Sequence, residues 1–304
     1  MPLPSWLKKP IPKAQELLRL QTLSKKMKLH TVCESAHCPN LGECFSQDTL
    51  TFMIMGNVCT RNCRFCAVES SATDKTSQKL LPLDPEEPER VAETAKELGL
   101  NYVVVTSVTR DDLPDGGAGH FAKTILALKK AIRGVEVEVL IPDLAQTKTK
   151  LPVSEISTIN IEALETILAA GPTVLNHNIE MVKRLYPIVR PQSNYDRSLS
   201  LLLAAKSLGG GVCTKSGFML GLGEIEAEVL GLLQDIRTAQ VDFVTIGQYL
   251  PPSKAHFPVN EYISPETFAK YKQKAEEMGF KQVFSGPLVR SSYHAKKLWK
   301  NQLD

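Results

Sequence analysis

The pattern that most constrains the fold is a strand-sized apolar run followed by a helix-sized amphipathic run, repeated from residue 50 onward. Leu50-Thr-Phe-Met-Ile-Met55, Tyr102–Val105, Val135–Ile141, Thr173–Leu175, Thr214–Leu220, Phe243–Ile246 and a short Gln282–Ser285 read as strands. Pro85–Leu98, Gly119–Ile132, Ile161–Ala170, Ser198–Leu208, Glu226–Ala239 and Pro265–Met278 read as helices between them. This alternation specifies an α/β fold with a mostly parallel sheet and helices outside it. Six βα steps and a short last strand fit either a partial, open barrel or a doubly wound sheet, and periodicity does not separate the two. The first 30 residues are Pro-rich, then basic and helical in pattern from Lys13 to Lys28.

Polar residues collect just past the strands: Thr106, Ser107, Arg110, Asp111 and Asp112 after the second, Asp143 after the third, Asn176, His177, Asn178 and Glu180 after the fourth, Gln248 after the sixth. Parallel α/β folds bind ligands at the carboxyl ends of their strands. Loop ends are polar in any protein, so the ring as a whole carries more weight than any one member.

Seven cysteines punctuate the chain, six of them between positions 33 and 66. A chain of 304 residues can bury a full core without disulfides. The number is odd, and the start Met1-Pro-Leu-Pro-Ser-Trp-Leu-Lys-Lys-Pro10 has no apolar signal region, so a cytoplasmic chain using cysteine for metal or redox chemistry is expected. No apolar run approaches the roughly 20 residues of a spanning helix, so no membrane is expected. A net charge of +3 is too near neutral to point to nucleic acid.

Cys59, Cys63 and Cys66 form C-x3-C-x2-C directly after the first strand. Thiolates favour zinc or iron–sulfur clusters. A structural zinc needs four closed ligands, and no fourth Cys or His lies nearby in the loop. Three ligands leave one metal position open, although a distant residue could complete a zinc knuckle. Cys33, Cys38 and Cys44 form C-x4-C-x5-C, which could instead be a zinc site using His37. Cys213 reads as a small buried residue.

Cys59-Thr-Arg-Asn-Cys63-Arg-Phe-Cys66 resembles the signature of the radical S-adenosylmethionine (SAM) superfamily. With the amino-terminal triplet and Gly286-Pro-Leu-Val-Arg-Ser-Ser-Tyr-His294, the chain resembles the lipoyl synthase family over almost its whole length. The resemblance extends through Thr106–Gly117, Val174–Asn178, Leu185–Pro187, Val189–Pro191, Thr214–Gly217, Gly221–Glu224 and Thr245–Tyr249. It implies an open (β/α)6 radical SAM partial barrel over residues 50–285. An extension, 1–49, would carry auxiliary-cluster cysteines, and a terminal segment, 286–304, would supply a serine ligand.

The resemblance also implies two [4Fe-4S] clusters, with SAM as cofactor. Cys59, Cys63 and Cys66 would hold one cluster, whose open iron chelates SAM. Phe65, Thr106, Ser107, Asn176, Glu180 and Arg190 would contact SAM. Cys33, Cys38 and Cys44 would hold an auxiliary cluster completed by Ser291 or Ser292, with Ser292 favoured, unless these serines cap a helix. The implied activity is that of a sulfurtransferase of lipoate biosynthesis, inserting two sulfurs at C6 and C8 of a protein-bound octanoyl-lysine. An unactivated C–H bond has no acidic proton and no leaving group, so a deoxyadenosyl radical is the chemistry required. Two SAM molecules would be spent, and the auxiliary cluster would be the sulfur source. Implied partners are octanoylated carrier domains (glycine cleavage H protein, acyltransferase subunits of 2-oxoacid dehydrogenases) and a one-electron donor such as ferredoxin or flavodoxin. The alternatives are another sulfur-inserting radical SAM enzyme, similar to biotin synthase, and an electron-transfer or zinc-stabilised binding protein.

Overall fold

A computed structural model describes residues 2–8, 29–32, 40, 50–72, 79–146, 158–293 and 295–300. The strands are β1 (His30–Thr31), β2 (Thr51–Ile54), β3 (Val58–Cys59), β4 (Glu69–Ser70), β5 (Tyr102–Ser107), β6 (Glu136–Leu140), β7 (Val174–Asn176), β8 (Cys213–Leu220), β9 (Phe243–Gln248) and β10 (Gln282–Gly286). The helices are α1 (Glu87–Glu97), α2 (Ala118–Ala131), α3 (Ile161–Ala169), the single turn α4 (Tyr186–Val189), α5 (Tyr195–Leu208), α6 (Glu226–Thr238), α7 (Pro265–Glu277) and α8 (Ala295–Lys300). The helical pattern over Lys13–Lys28 lies outside the described residues.

Eight strands form one sheet in the order β1-β2-β5-β6-β7-β8-β9-β10. Every pairing from β2 to β10 is parallel, and β1 is added antiparallel to β2, with His30 opposite Met53. That order decides between the two folds left open by the sequence. A doubly wound sheet reverses direction at a switch point, whereas here each crossover moves one strand further the same way. Right-handed crossovers that never reverse keep all the helices on one side of the sheet. The result is the open partial barrel.

Alternation within the strands explains the two faces. Val103 and Val105 of β5 and Val137 and Val139 of β6 share one apolar cluster with Val91 of α1, Phe121, Ile125 and Leu128 of α2, and Leu164 of α3. A second cluster joins Val244 and Ile246 of β9 to Leu232, Leu233 and Ile236 of α6 and Phe268 of α7. Each such fully buried aliphatic side chain is stabilising by about 1.5–3 kcal/mol. The other face carries polar side chains as well, among them Glu138 and Thr245, both buried. Glu138 accepts from Lys215 Nζ at 2.9 Å, Asn176 Nδ2 at 3.0 Å and Tyr102 Oη at 2.7 Å. A carboxylate this deep is tolerable only with such partners. Lys215 is thus committed inside the barrel, buried against Glu138.

Helix starts follow their capping residues. Asn160, Asn194 and Ser264 each accept a backbone N–H three residues on, from Ala163, Arg197 and Thr267. Asn194 starts α5 three residues earlier than the apolar pattern places it.

Candidate active site

Just past β2 the chain turns into the cysteine loop. β3 pairs with β4 in parallel, Val58 opposite Glu69 and Cys59 opposite Ser70, and so pinches the loop at its neck. Further main-chain bonds fix its course. Arg64 N donates to Val189 O at 2.8 Å, Phe257 N to Arg64 O at 2.8 Å, and Cys66 N to Cys63 O at 3.1 Å. Arg64 also lies over the Phe257 ring, 5.5 Å from its centroid.

The loop walls a cleft at the carboxyl ends of the strands. Cys59, Cys63, Cys66, Phe65, Thr106, Ser107, Glu180 and Arg190, eight residues singled out from the sequence, all line it, and His177 and Asn178 join them. The cleft is open to solvent at its mouth. Asn176 is not among the lining residues. Its side-chain Nδ2 donates to Glu138, while Asn178, two residues on, which the sequence had placed only in the general polar ring, lines the cleft. Thr106 Oγ1 donates to Leu140 O at 2.8 Å, leaving lone pairs to accept.

Three buried polar atoms on the cleft wall have no partner: Ser107 Oγ, Asn178 Oδ1 and Arg190 Nε. Buried polar atoms are paired in the great majority of cases, so three orphans on one wall suit a polar ligand. Glu180 adds a backbone signal. Its φ of 72° is left-handed, a conformation rare for a residue with a Cβ. It is held by Glu180 N donating to Gly217 O at 3.0 Å and Met219 N donating to Glu180 O at 2.8 Å.

The electrostatics are those of a dry wall. Burial pushes the Cys63 thiol up, against the opposing charge of Arg190, and burial pushes Cys66 up to about 12. Binding soft metal there must release thiol protons. Burial also raises the Glu180 carboxyl, with Arg190 and an Asn178 hydrogen bond opposing. Among the described residues no group of three or more His, Cys, Asp or Glu gathers as the ligand set of one metal ion. The three thiols share a cleft wall, and cysteine thiolates are the donors that would hold an iron–sulfur cluster there. Soft donors beside orphaned polar atoms fit a cluster with a polar cofactor against it.

A second, smaller cleft adjoins the first and shares Asn178 and Glu180 with it. Its far wall is the terminal segment, Val289, Arg290 and Ser291. Ser292 follows at the turn leading to α8, its carbonyl accepting from Ala295 N at 3.3 Å. Cys33, Cys38 and Cys44 lie outside the described residues, but Asn40, between the last two, is described and is buried. The buried arginine Arg61, inside the cysteine loop, was passed over in the sequence. The only signal for it was its place between two candidate ligands.

A cysteine loop with this spacing at the strand ends of an open βα barrel defines a radical SAM protein. The family model described as the Radical SAM superfamily matches residues 53–236, and the chain belongs to that superfamily. Within it, the chain belongs to the lipoyl synthase family. It is 55% identical over 292 residues to the lipoyl synthase of Caldanaerobacter subterraneus subsp. tengcongensis, covering 96% of this chain and 95% of that one. It is 48% identical to the lipoyl synthase of Thermus thermophilus, covering 97% and 86%. Among solved structures, methylornithine synthase is similar with a TM-score of 0.55 at 14% identity, covering 96% and 89%. Streptococcus suis SuiB bound to S-adenosylmethionine is similar with a TM-score of 0.52 at 10% identity, covering 89% and 60%. These two likenesses concern the fold alone. Among the described residues no helix is long and apolar enough to cross a membrane.

Proposed function

We propose that the protein is a lipoyl synthase that inserts sulfur at C6 and C8 of an octanoyl chain amide-linked to a lysine of a carrier domain. The observation that carries this reading is the meeting, on one strand-end cleft, of Cys59, Cys63 and Cys66 with three unpartnered polar atoms, Ser107 Oγ, Asn178 Oδ1 and Arg190 Nε. Superfamily membership brings SAM and a [4Fe-4S] cluster, which together supply a one-electron route to hydrogen-atom abstraction.

In this reading the chain's own residues do the following. The thiolates of Cys59, Cys63 and Cys66 ligate one cluster. Arg190 is a fixed cation for a carboxylate, and Ser107 and Asn178 are polar contacts for the rest of the cofactor, with Thr106 accepting beside them. Phe65 supplies an apolar wall. The buried strand ends exclude water, so a reactive carbon species meets the substrate before solvent does. The adjoining cleft, between Glu180 and Ser291, leads from that site toward the terminal segment. There Cys33, Cys38 and Cys44 of residues 1–49 and Ser292 of residues 286–304 would hold a second [4Fe-4S] cluster, the sulfur source. A serine oxygen is harder than a thiolate and is the more readily released ligand, which suits a cluster that is dismantled. Residues 50–285 would form the catalytic barrel between them. The carrier domain and a ferredoxin- or flavodoxin-type donor are the partners this chemistry requires.

The test is anaerobic incubation of the reconstituted protein with SAM, a reductant and an octanoyl-lysine peptide, followed by mass analysis. Two added sulfurs and about eight irons per chain are expected. About one zinc per chain without labile sulfide would overturn the reading.

A further inference from the structure

Arg61 stands two residues after Cys59 and two before Cys63, and Asn62 and Arg64 just beyond it are exposed, yet Arg61 is only 4% exposed. Turning a guanidinium under its own loop costs several kcal/mol unless the charge is fully met. Here it is met on every nitrogen. Nε and Nη2 donate to the two oxygens of Asp111, both at 2.8 Å. Nη1 and Nη2 donate to the two oxygens of Asp143, at 2.9 and 2.7 Å. Nη1 also approaches Ser193 Oγ at 3.3 Å.

The acceptors come from separate parts of the fold. Asp111 follows β5 and is itself fixed by the Thr60 hydroxyl, which donates to its Oδ2 at 2.9 Å. Asp143 follows β6 and also accepts from Arg197 Nη2 of α5 at 2.7 Å. A planar fork held by two carboxylates has one orientation, and it fixes the backbone that carries it. That backbone points at a candidate ligand: Arg61 N–H donates to Cys59 Sγ at 3.4 Å. Hydrogen bonds to ligating sulfur set the potential of an iron–sulfur cluster.

We infer that Arg61, locked by Asp111 and Asp143, is the positioning residue of the cysteine loop. It aims its own amide at Cys59 Sγ and so fixes both the electronic character of the cluster held there and the seat of SAM against it. The inference rests on the proposed ligand role of Cys59, Cys63 and Cys66.

The experiment compares reconstituted full-length wild type with Arg61→Lys, which keeps the charge and loses the fork, and with Asp143→Asn and Asp111→Asn. Three measurements are made: the electron paramagnetic resonance spectrum and midpoint potential of the reduced cluster, the dissociation constant of SAM by equilibrium dialysis, and the rate of iron loss to a chelator. Arg61→Lys should shift the spectrum and potential, weaken SAM binding and speed iron loss, the latter two by about tenfold. Asp143→Asn should act in the same direction, and Asp111→Asn, which leaves the Asp143 pair intact, less strongly. Should Arg61→Lys not fold, Asp143→Asn and Asp111→Asn carry the same comparison. Variants that fold and keep the wild-type spectrum, potential and SAM affinity would overturn the positioning role. A wild-type protein with no SAM-responsive cluster would instead overturn the ligand assignment beneath it.

Discussion

The side-chain amide of Asn40 donates to the backbone carbonyl of Leu288 at 2.7 Å, joining positions 248 residues apart. Asn40 lies between Cys38 and Cys44, and Leu288 lies three residues before Ser291. One partly buried hydrogen bond thus ties the second cysteine triplet to the segment proposed to supply its oxygen ligand. Losing it costs about 1 kcal/mol, the net contribution of a typical hydrogen bond. Asn40→Ala is expected to increase amide hydrogen exchange across residues 286–293 and to cut lipoyl formation about tenfold, a loss of about 1.4 kcal/mol, while SAM cleavage persists. Unchanged exchange in that segment would remove the tie from the proposed mechanism.

The two triplets make opposite predictions. Cys63→Ala should abolish SAM cleavage and lower iron from about eight to about four per chain. Cys38→Ala should lose the same amount of iron yet still form deoxyadenosine, without lipoyl product. Iron analysis and product quantification on both variants check the division, and retained cleavage in Cys63→Ala would refute it.

The alternation of parallel strands and helices was legible in the sequence because burial on both sheet faces makes strands such as Tyr102–Val105 nearly continuous apolar runs, and helices such as α2 carry a clean apolar stripe. Strand order was not legible. Periodicity reports which face is buried and is silent on which way the next crossover turns. The two-residue strands β1, β3 and β4 and the turn α4 were missed because long-range pairing, not local pattern, defines them. In the site, the convergence of Cys59, Cys63 and Cys66 on one cleft was readable from their spacing on a single short loop. Arg61 and Asp143 were not read together: 82 residues separate them, and nothing local marks an arginine that turns inward. Asn178 lines the cleft and Asn176 does not, because the strand ends where Asn176 still faces the barrel interior.

Ser291 and Ser292 separate by position. Ser291 lines the smaller cleft, and Ser292 sits at the turn into α8. Ser292→Ala should lose lipoyl formation and keep SAM cleavage if it is the proposed ligand. Full activity in Ser292→Ala together with loss in Ser291→Ala would move the ligand to Ser291. Iron content of the auxiliary cluster, measured in a Cys63→Ala background, gives the matching readout.

His177 predicts a pH window. Its Nδ1 bonds the Ile141 carbonyl at 2.8 Å and its Nε2 the Ser198 hydroxyl at 3.0 Å. Burial, reinforced by the charge of Arg190, lowers its pKa to about 4. The unfolded chain, near the ordinary value of about 6.5, takes up the proton first as pH falls. The stability contributed by neutral His177 is therefore complete above about pH 6.5 and is lost progressively toward pH 4. Between pH 7 and pH 5 the loss from this residue is about 2 kcal/mol. Anaerobic denaturant titrations should show that loss in the wild type and a smaller one in His177→Gln. Equal losses would show that the ring does not carry it.

Gly247 tests the second cleft without touching a proposed ligand. It stands at the end of β9, paired in register with Gly286 of β10, and a Cβ built on it would lie 2.2 Å from Val289 O. Backbone cannot yield as a flexible side-chain tip can, so Gly247→Ala must push the terminal segment outward and carry Ser291 with it. Cys59, Cys63 and Cys66 are distant in sequence from this contact. The expected outcome is SAM cleavage within about twofold of wild type, about 0.4 kcal/mol, with lipoyl product lost. Loss of both activities in step would mean that the terminal segment supports the first cleft as well as the second, and that the division of labour between the two clefts is wrong.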